Sequence, residues 1–131
     1  MLAGSATLAG AHAARAPTPK ERAALTAAVI LQIPHVDGQA AFFLVRRVVM
    51  STVEPGRSST FMRFGAAYGI AKDQSGLYPT GSRTALVAVH RRTRNWIVVD
   101  FGVPRVGCTT PQSFFGGRRA AILRDLGIRC R

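Results

Sequence analysis

Residues 84–101 read TALVAVHRRTRNWIVVDF. Two apolar runs rich in β-branched residues, Thr84–Arg91 and Trp96–Phe101, flank the polar Arg92-Thr93-Arg94-Asn95. That pattern predicts two antiparallel strands joined by a hairpin turn. With the turn centred on Thr93-Arg94, Arg91 faces Trp96, Val89 faces Val98 and Val87 faces Asp100. Leu86, Ala88, Ile97, Val99 and Phe101 then share the other side, because successive side chains alternate faces. That side is the expected core stripe, and Arg91 is placed to stack on the Trp96 ring.

Working outward, Phe42–Val53 is a strand that runs into a turn at Glu54-Pro55-Gly56, and Thr60–Tyr68 is a second strand. Alternation in the latter puts Phe61 and Arg63 on one face and Met62 and Phe64 on the other. Ile70–Ser82, with its scattered Gly, Pro and polar residues, reads as a long loop. Ahead of the strands, Thr18-Pro19-Lys20-Glu21 opens a helix. Thr18 caps, Pro19 occupies the first helical position, and Glu21 completes a capping box. The helix is expected to run to about Leu31 and stop before Pro34, with Ala24, Ala27, Ala28 and Leu31 on one face. At the other end, Gly117–Leu126 is a short helix stopped by Gly127, with Ile128 covering its last turn. The order of helix, four strands and short helix implies an α+β fold. The N-terminal helix packs on one face of a roughly four-stranded antiparallel sheet.

A chain of 131 residues holds one core, and 47% hydrophobic residues exclude a disordered chain. The longest uncharged runs, Met1–Ala14 and Ala23–Val36, are each about fourteen residues. A membrane-spanning helix needs about twenty, so no transmembrane segment is expected. Lys and Arg number 18 against 6 acids, a net charge of +12. All but Lys20 and Lys72 are arginine, as codon bias in a GC-rich genome would produce, but codon bias does not explain the shortage of acids. Such a field attracts anions. The basic residues are dispersed, and their separate clusters are Arg46-Arg47, Arg91-Arg92 with Arg94, and Arg118-Arg119. They are the expected contacts for an anionic partner, namely an envelope polymer, a lipid headgroup or an acidic protein.

Met1–Ala16 reads as the remnant of an export signal. It carries Ala11-His12-Ala13 and Ala14-Arg15-Ala16, both of the small-x-small form that signal peptidase accepts. The basic stretch that should precede it is missing, which fits Met1 as an internal start; the alternative is an Ala/Gly-rich tail. The domain proper is then 17–131, and the mature chain begins near Ala14 or Pro17. Cys108 and Cys130 form an even pair around the C-terminal segment. A bridge would close a loop of about 23 residues, and the alternatives are two buried thiols or a reactive one. Without nearby histidines they do not make a zinc site.

Several pieces together resemble small exported proteins of unassigned function in high-GC Gram-positive bacteria. They are Ser51-Thr52-Val53-Glu54-Pro55 at a strand end, Arg91-Arg92 before Trp96, Gly107-Cys108, and Leu126-Gly127 before Cys130. The resemblance implies export, a Cys108–Cys130 bridge and an α+β domain, and it implies no activity. A helix on a curved sheet is also similar to the cystatin-like and NTF2-like types of architecture. The Gln-x-Val-x-Gly segment of cystatins is absent.

Little in the chain points to catalysis. Cys108, His90 and Asp100 can be written as a triad, but the hairpin register holds His90 and Asp100 about 10 Å apart, beyond hydrogen-bond reach. His35 and Asp37 are too few for a metal. No phosphate-binding or dinucleotide-binding glycine motif is present, and no cofactor is expected. Phe61-Met62-Arg63-Phe64 is a weak nucleic-acid signal. The expected function is therefore that of a non-enzymatic, extracytoplasmic binding domain. The alternatives are a small-ligand carrier or enzyme with a cavity between helix and sheet, holding His35 or His90, and a cytoplasmic nucleic-acid binder.

Overall fold

The computed structural model describes residues 14–37, 42–73, 75–76, 79–103 and 105–130; of the segment Met1–Ala16 expected to be an export signal, Met1–Ala13 lie outside them. Helix α1, Pro19–Val36, is followed by strands β1 (Phe42–Met50), β2 (Phe61–Lys72), β3 (Pro79–His90) and β4 (Trp96–Gly102). A 3₁₀ turn, Gln112–Phe115, and helix α2, Arg119–Asp125, close the chain. The strands form one antiparallel meander in the order β1-β2-β3-β4. The α+β architecture and the Cys108–Cys130 disulfide are as the sequence implies.

The capping box forms: Thr18 Oγ accepts from the Glu21 amide at 3.1 Å, and Glu21 Oε1 accepts from the Thr18 amide at 2.9 Å. The helix extends beyond Leu31 and keeps Pro34 in its last turn. Proline forfeits one amide there, yet the Asp37 amide still reaches the Ile33 carbonyl at 2.9 Å. Its buried face is Leu25, Ala28, Val29 and Ile33, at steps of three and four residues, while Leu31 is 71% exposed. Of the face expected to meet the sheet, Ala28 is buried and Ala24 half-buried, but Ala27 and Leu31 are exposed, because the larger side chains one step round the helix turn inward.

The segment read as a loop at Ile70–Ser82 is largely strand, since β2 runs to Lys72 and β3 begins at Pro79. Gly69, Ala71 and Gly81 disguised it, being poor strand formers that the ladder nonetheless carries. The β3–β4 turn also differs from expectation. His90 and Asn95 close it, the Arg94 amide donates to the His90 carbonyl at 2.9 Å, and Arg94 takes φ 65°. Val89 thus faces Trp96, not Val98, and Val87 faces Val98. An extra residue at Val99 then brings Asp100 opposite Leu86 and Phe101 opposite Ala85. Phe101 consequently leaves the expected stripe for the α1 side. A bulge at Met62 likewise breaks the alternation in β2, so that Phe61 and Phe64 share a face and are both buried.

The largest departure concerns the layers. The sheet is packed on both faces. On one, Leu25, Val29 and Ile33 of α1 meet Phe43, Val48, Val87 and Val98. On the other, Phe115, Ile122, Leu123, Leu126 and Ile128 of the C-terminal segment meet Phe64, Ala66, Leu86 and Ala88. The disulfide fastens this second layer. Asp125 anchors it to the end of β1, where its Oδ2 accepts from Ser51 Oγ at 2.8 Å and the Thr52 amide at 2.7 Å. Gly56 meets Gly116 so closely that a Cβ on Gly56 would overlap the Gly116 carbonyl. The expected stop at Gly127 is present, with φ 86°. The Ile128 amide bonds the Leu123 carbonyl and the Gly127 amide that of Arg124, a Schellman motif.

Candidate functional site

The seven arginines singled out from the sequence fall in three places. Arg91, Arg92 and Arg94 sit at the β3–β4 turn. Arg91 does not stack on Trp96; its guanidinium donates to the carbonyls of Ser59 at 3.3 Å and Phe61 at 3.0 Å. Arg118 and Arg119 stand at the start of α2. They donate to the carbonyls of Glu54 at 2.9 Å and Thr110 at 2.7 Å. These four hydrogen bonds to main-chain carbonyls hold the side chains of Arg91, Arg118 and Arg119 down.

Arg46 and Arg47 are placed differently. The β1–β2 register slips between Val45 and Arg47, so Arg46 is the extra residue of a bulge on an edge strand. Charges and bulges on an edge oppose pairing with further strands. Arg47 lies over the Tyr68 ring, its guanidinium carbon 4.6 Å from the centroid. Both arginines line a groove of about 430 Å³ with Arg83, Tyr68, Ser82 and Thr84. Its described lining residues include three arginines, three residues with hydroxyls and no acid. The Tyr68 hydroxyl donates to the Leu126 carbonyl, which fixes the ring beneath Arg47. Burial pushes the Tyr68 phenol up, and the nearby Arg47 charge opposes that shift. Arg83 was not singled out in the sequence, where it falls between the expected loop Ile70–Ser82 and the expected strand Thr84–Arg91. In β3 it pairs with Gly69, and its Nη1 donates to the Ser82 carbonyl at 2.9 Å.

A second groove, of about 380 Å³, is lined by Lys20, Glu21, Ala24, Met62, Arg63, Arg94 and Trp96 among others. Its acid is committed. Glu21 takes both Arg15 guanidinium nitrogens at 2.7 Å and Arg63 at 2.8 Å. The Arg15 hydrogen bonds come first in lowering the Glu21 carboxyl to about 2, helped by the Thr18 amide and Arg63. Arg15 is itself held in place, because its amide and carbonyl pair with Met50 at 2.8 and 2.9 Å.

The remaining candidates are not brought together. His90 Nδ1 accepts from the Arg92 and Thr93 amides, at 3.2 and 3.3 Å. Asp100 accepts from the Gly107 and Phe101 amides, at 2.8 and 2.9 Å. Cys108 is in the disulfide. His35 is exposed at the end of α1, and among the described residues no group of three His, Cys, Asp or Glu gathers for a metal. Between α1 and the sheet, where a carrier would keep its ligand, lie Leu25, Val29, Ile33 and Val87, all fully buried. No described helix is long and apolar enough to cross a membrane. Comparison with protein-family models, curated proteins and solved structures returned no match.

Proposed function

We propose that this protein is an exported, non-enzymatic binding domain that holds an anionic partner in the groove of Arg46, Arg47 and Arg83. One observation carries the reading: Arg46 and Arg47, with Tyr68, Ser82, Arg83 and Thr84, line a groove whose described lining residues include no acid. Guanidinium forks suit phosphate and carboxylate oxygens, and Arg47 is already oriented by the ring beneath it. The other arginines add to the long-range field that brings an anion in. Export is supported by the small-x-small tripeptides and by the disulfide, which suits an oxidising compartment. Of the two cleavage positions, the one before Ala14 keeps Arg15 and its bonds to Glu21 and Met50, and is the one we adopt.

Titration with inorganic polyphosphate at low salt tests the contact. Replacing Arg46, Arg47 and Arg83 together with Gln is expected to weaken binding at least tenfold, by removing charge-assisted hydrogen bonds. Replacing Arg91, Arg92 and Arg94 should cost only a few-fold, through the weakened field. Equal losses from both triples would mean that binding follows net charge and that the groove is not the site.

A further inference from the structure

Among the described residues, the second face of the sheet is only half covered. The C-terminal layer lies over Phe61, Phe64, Ala66, Leu86 and Ala88 and ends at Tyr68, whose hydroxyl meets Leu126. Beyond Tyr68, the paired residues on this face are Leu44 with Ile70 and Ser82, then Phe42 with Lys72. A sheet face turned to water ordinarily carries polar residues. Here Phe42 is 53% exposed, Leu44 46% and the neighbouring Val103 53%.

Two hollows adjoin on this half. One is the groove of Arg46, Arg47 and Arg83; the other, of about 290 Å³, is lined by Phe42, Phe43, Leu44, Lys72 and Gly76. A free polyanion would account for the first and leave the second unexplained. Cations beside protruding apolar side chains match the order of an anionic amphiphile, charged head next to hydrocarbon. The leaflet of an anionic membrane presents that order over a whole surface. Asp73, the acid next to Lys72, is tied to the Ser75 amide and hydroxyl at 3.1 and 2.6 Å.

Resting on the anion-contact reading and naming its partner, we propose that this half-face docks on an anionic lipid bilayer. Headgroup phosphates occupy the arginine groove, while Phe42 and Leu44 enter the acyl boundary. The arginine stems lie along apolar surface with their guanidinium groups at the phosphates.

The test is co-sedimentation of the whole chain with vesicles of phosphatidylglycerol and phosphatidylcholine, against pure phosphatidylcholine, with polyphosphate binding measured in parallel. Binding to the anionic vesicles alone is expected. The double variant Phe42→Ser, Leu44→Ser should lose about tenfold or more in vesicle partition, as two apolar side chains no longer leave water. Its polyphosphate affinity should stay unchanged. Arg46→Gln with Arg47→Gln should weaken both, by about fivefold per arginine on vesicles. Leu31→Ser, at a more exposed position on α1, should alter neither. Vesicle binding unchanged in the Phe42/Leu44 variant would overturn bilayer docking and leave the anion-contact reading standing. Loss of both polyphosphate and vesicle binding in the wild-type chain would overturn both. A wild-type dimer that the Phe42/Leu44 variant makes monomeric would assign the face to a second copy, and an acidic protein competing with it only in the wild type would assign it there.

Discussion

Glu21 shows how one side chain is shared between local and distant demands. It caps α1 through Thr18, and it also receives Arg15 from the preceding segment and Arg63 from β2. The cap was legible because it depends on a spacing of three residues. The arginine partners were not, since Arg63 lies 42 residues away and only the folded sheet brings it near. The carboxyl is held at about 2 against an ordinary 4.5, chiefly by Arg15. A lowered folded pKa contributes stability that is complete above the unfolded value and is lost as pH falls toward 2. Glu21→Gln should therefore cost about 1–2 kcal/mol at pH 7, because both arginines are partly exposed and screened. The difference from wild type should vanish near pH 2, and urea unfolding at pH 7, 4 and 2 would check it. A deficit that persists unchanged at pH 2 would mean that the amide disturbs the cap instead of the charge pairs.

Among the elements, strands were easier to recognise than to align. Val and Ile runs marked β3 and β4, yet the four-residue turn with Arg94 at positive φ, and the bulge at Val99, were invisible in the pattern. Glycine and alanine hid the far halves of β2 and β3. The C-terminal element was legible through Gly127 and the cysteines, because a left-handed stop and a cross-link leave plain residue signatures. That element is a layer and not an appendage: Phe115, Ile122 and Leu123 are essentially buried. Replacing Cys108 and Cys130 with Ser should cost about 3.4 kcal/mol in the chain-entropy model and loosen this layer first. Denaturant midpoints, with hydrogen exchange at Ile122 and Leu123, would register it. A fall under 1 kcal/mol would mean that Asp125, Ser51 and Thr52 suffice to hold the layer. Protein recovered from its host should be lighter by two hydrogens before reduction and should begin at Ala14. A full-length, reduced chain would contradict export.

For the molecule as a whole, net charge raises the expectation of an anion partner but does not say where one would sit. Dispersed through the sequence, the arginines gave no patch; the sheet collects Arg46, Arg47 and Arg83 from three positions on two strands. The half-bare face was unreadable in advance, because one covered face was expected and both are used. It arises from unequal lengths: β2 has 12 residues, whereas α2 has 7 and reaches only as far as Tyr68. The uncovered part is where charge and apolar surface coincide. Hydrogen–deuterium exchange with and without phosphatidylglycerol vesicles locates the contact directly. Slowed exchange confined to 42–47, 68–72 and 82–84, with 91–94 and α2 unchanged, is the expected footprint. Protection centred on 91–94, or spread evenly over the basic surface, would contradict the assignment of the contact to this half-face.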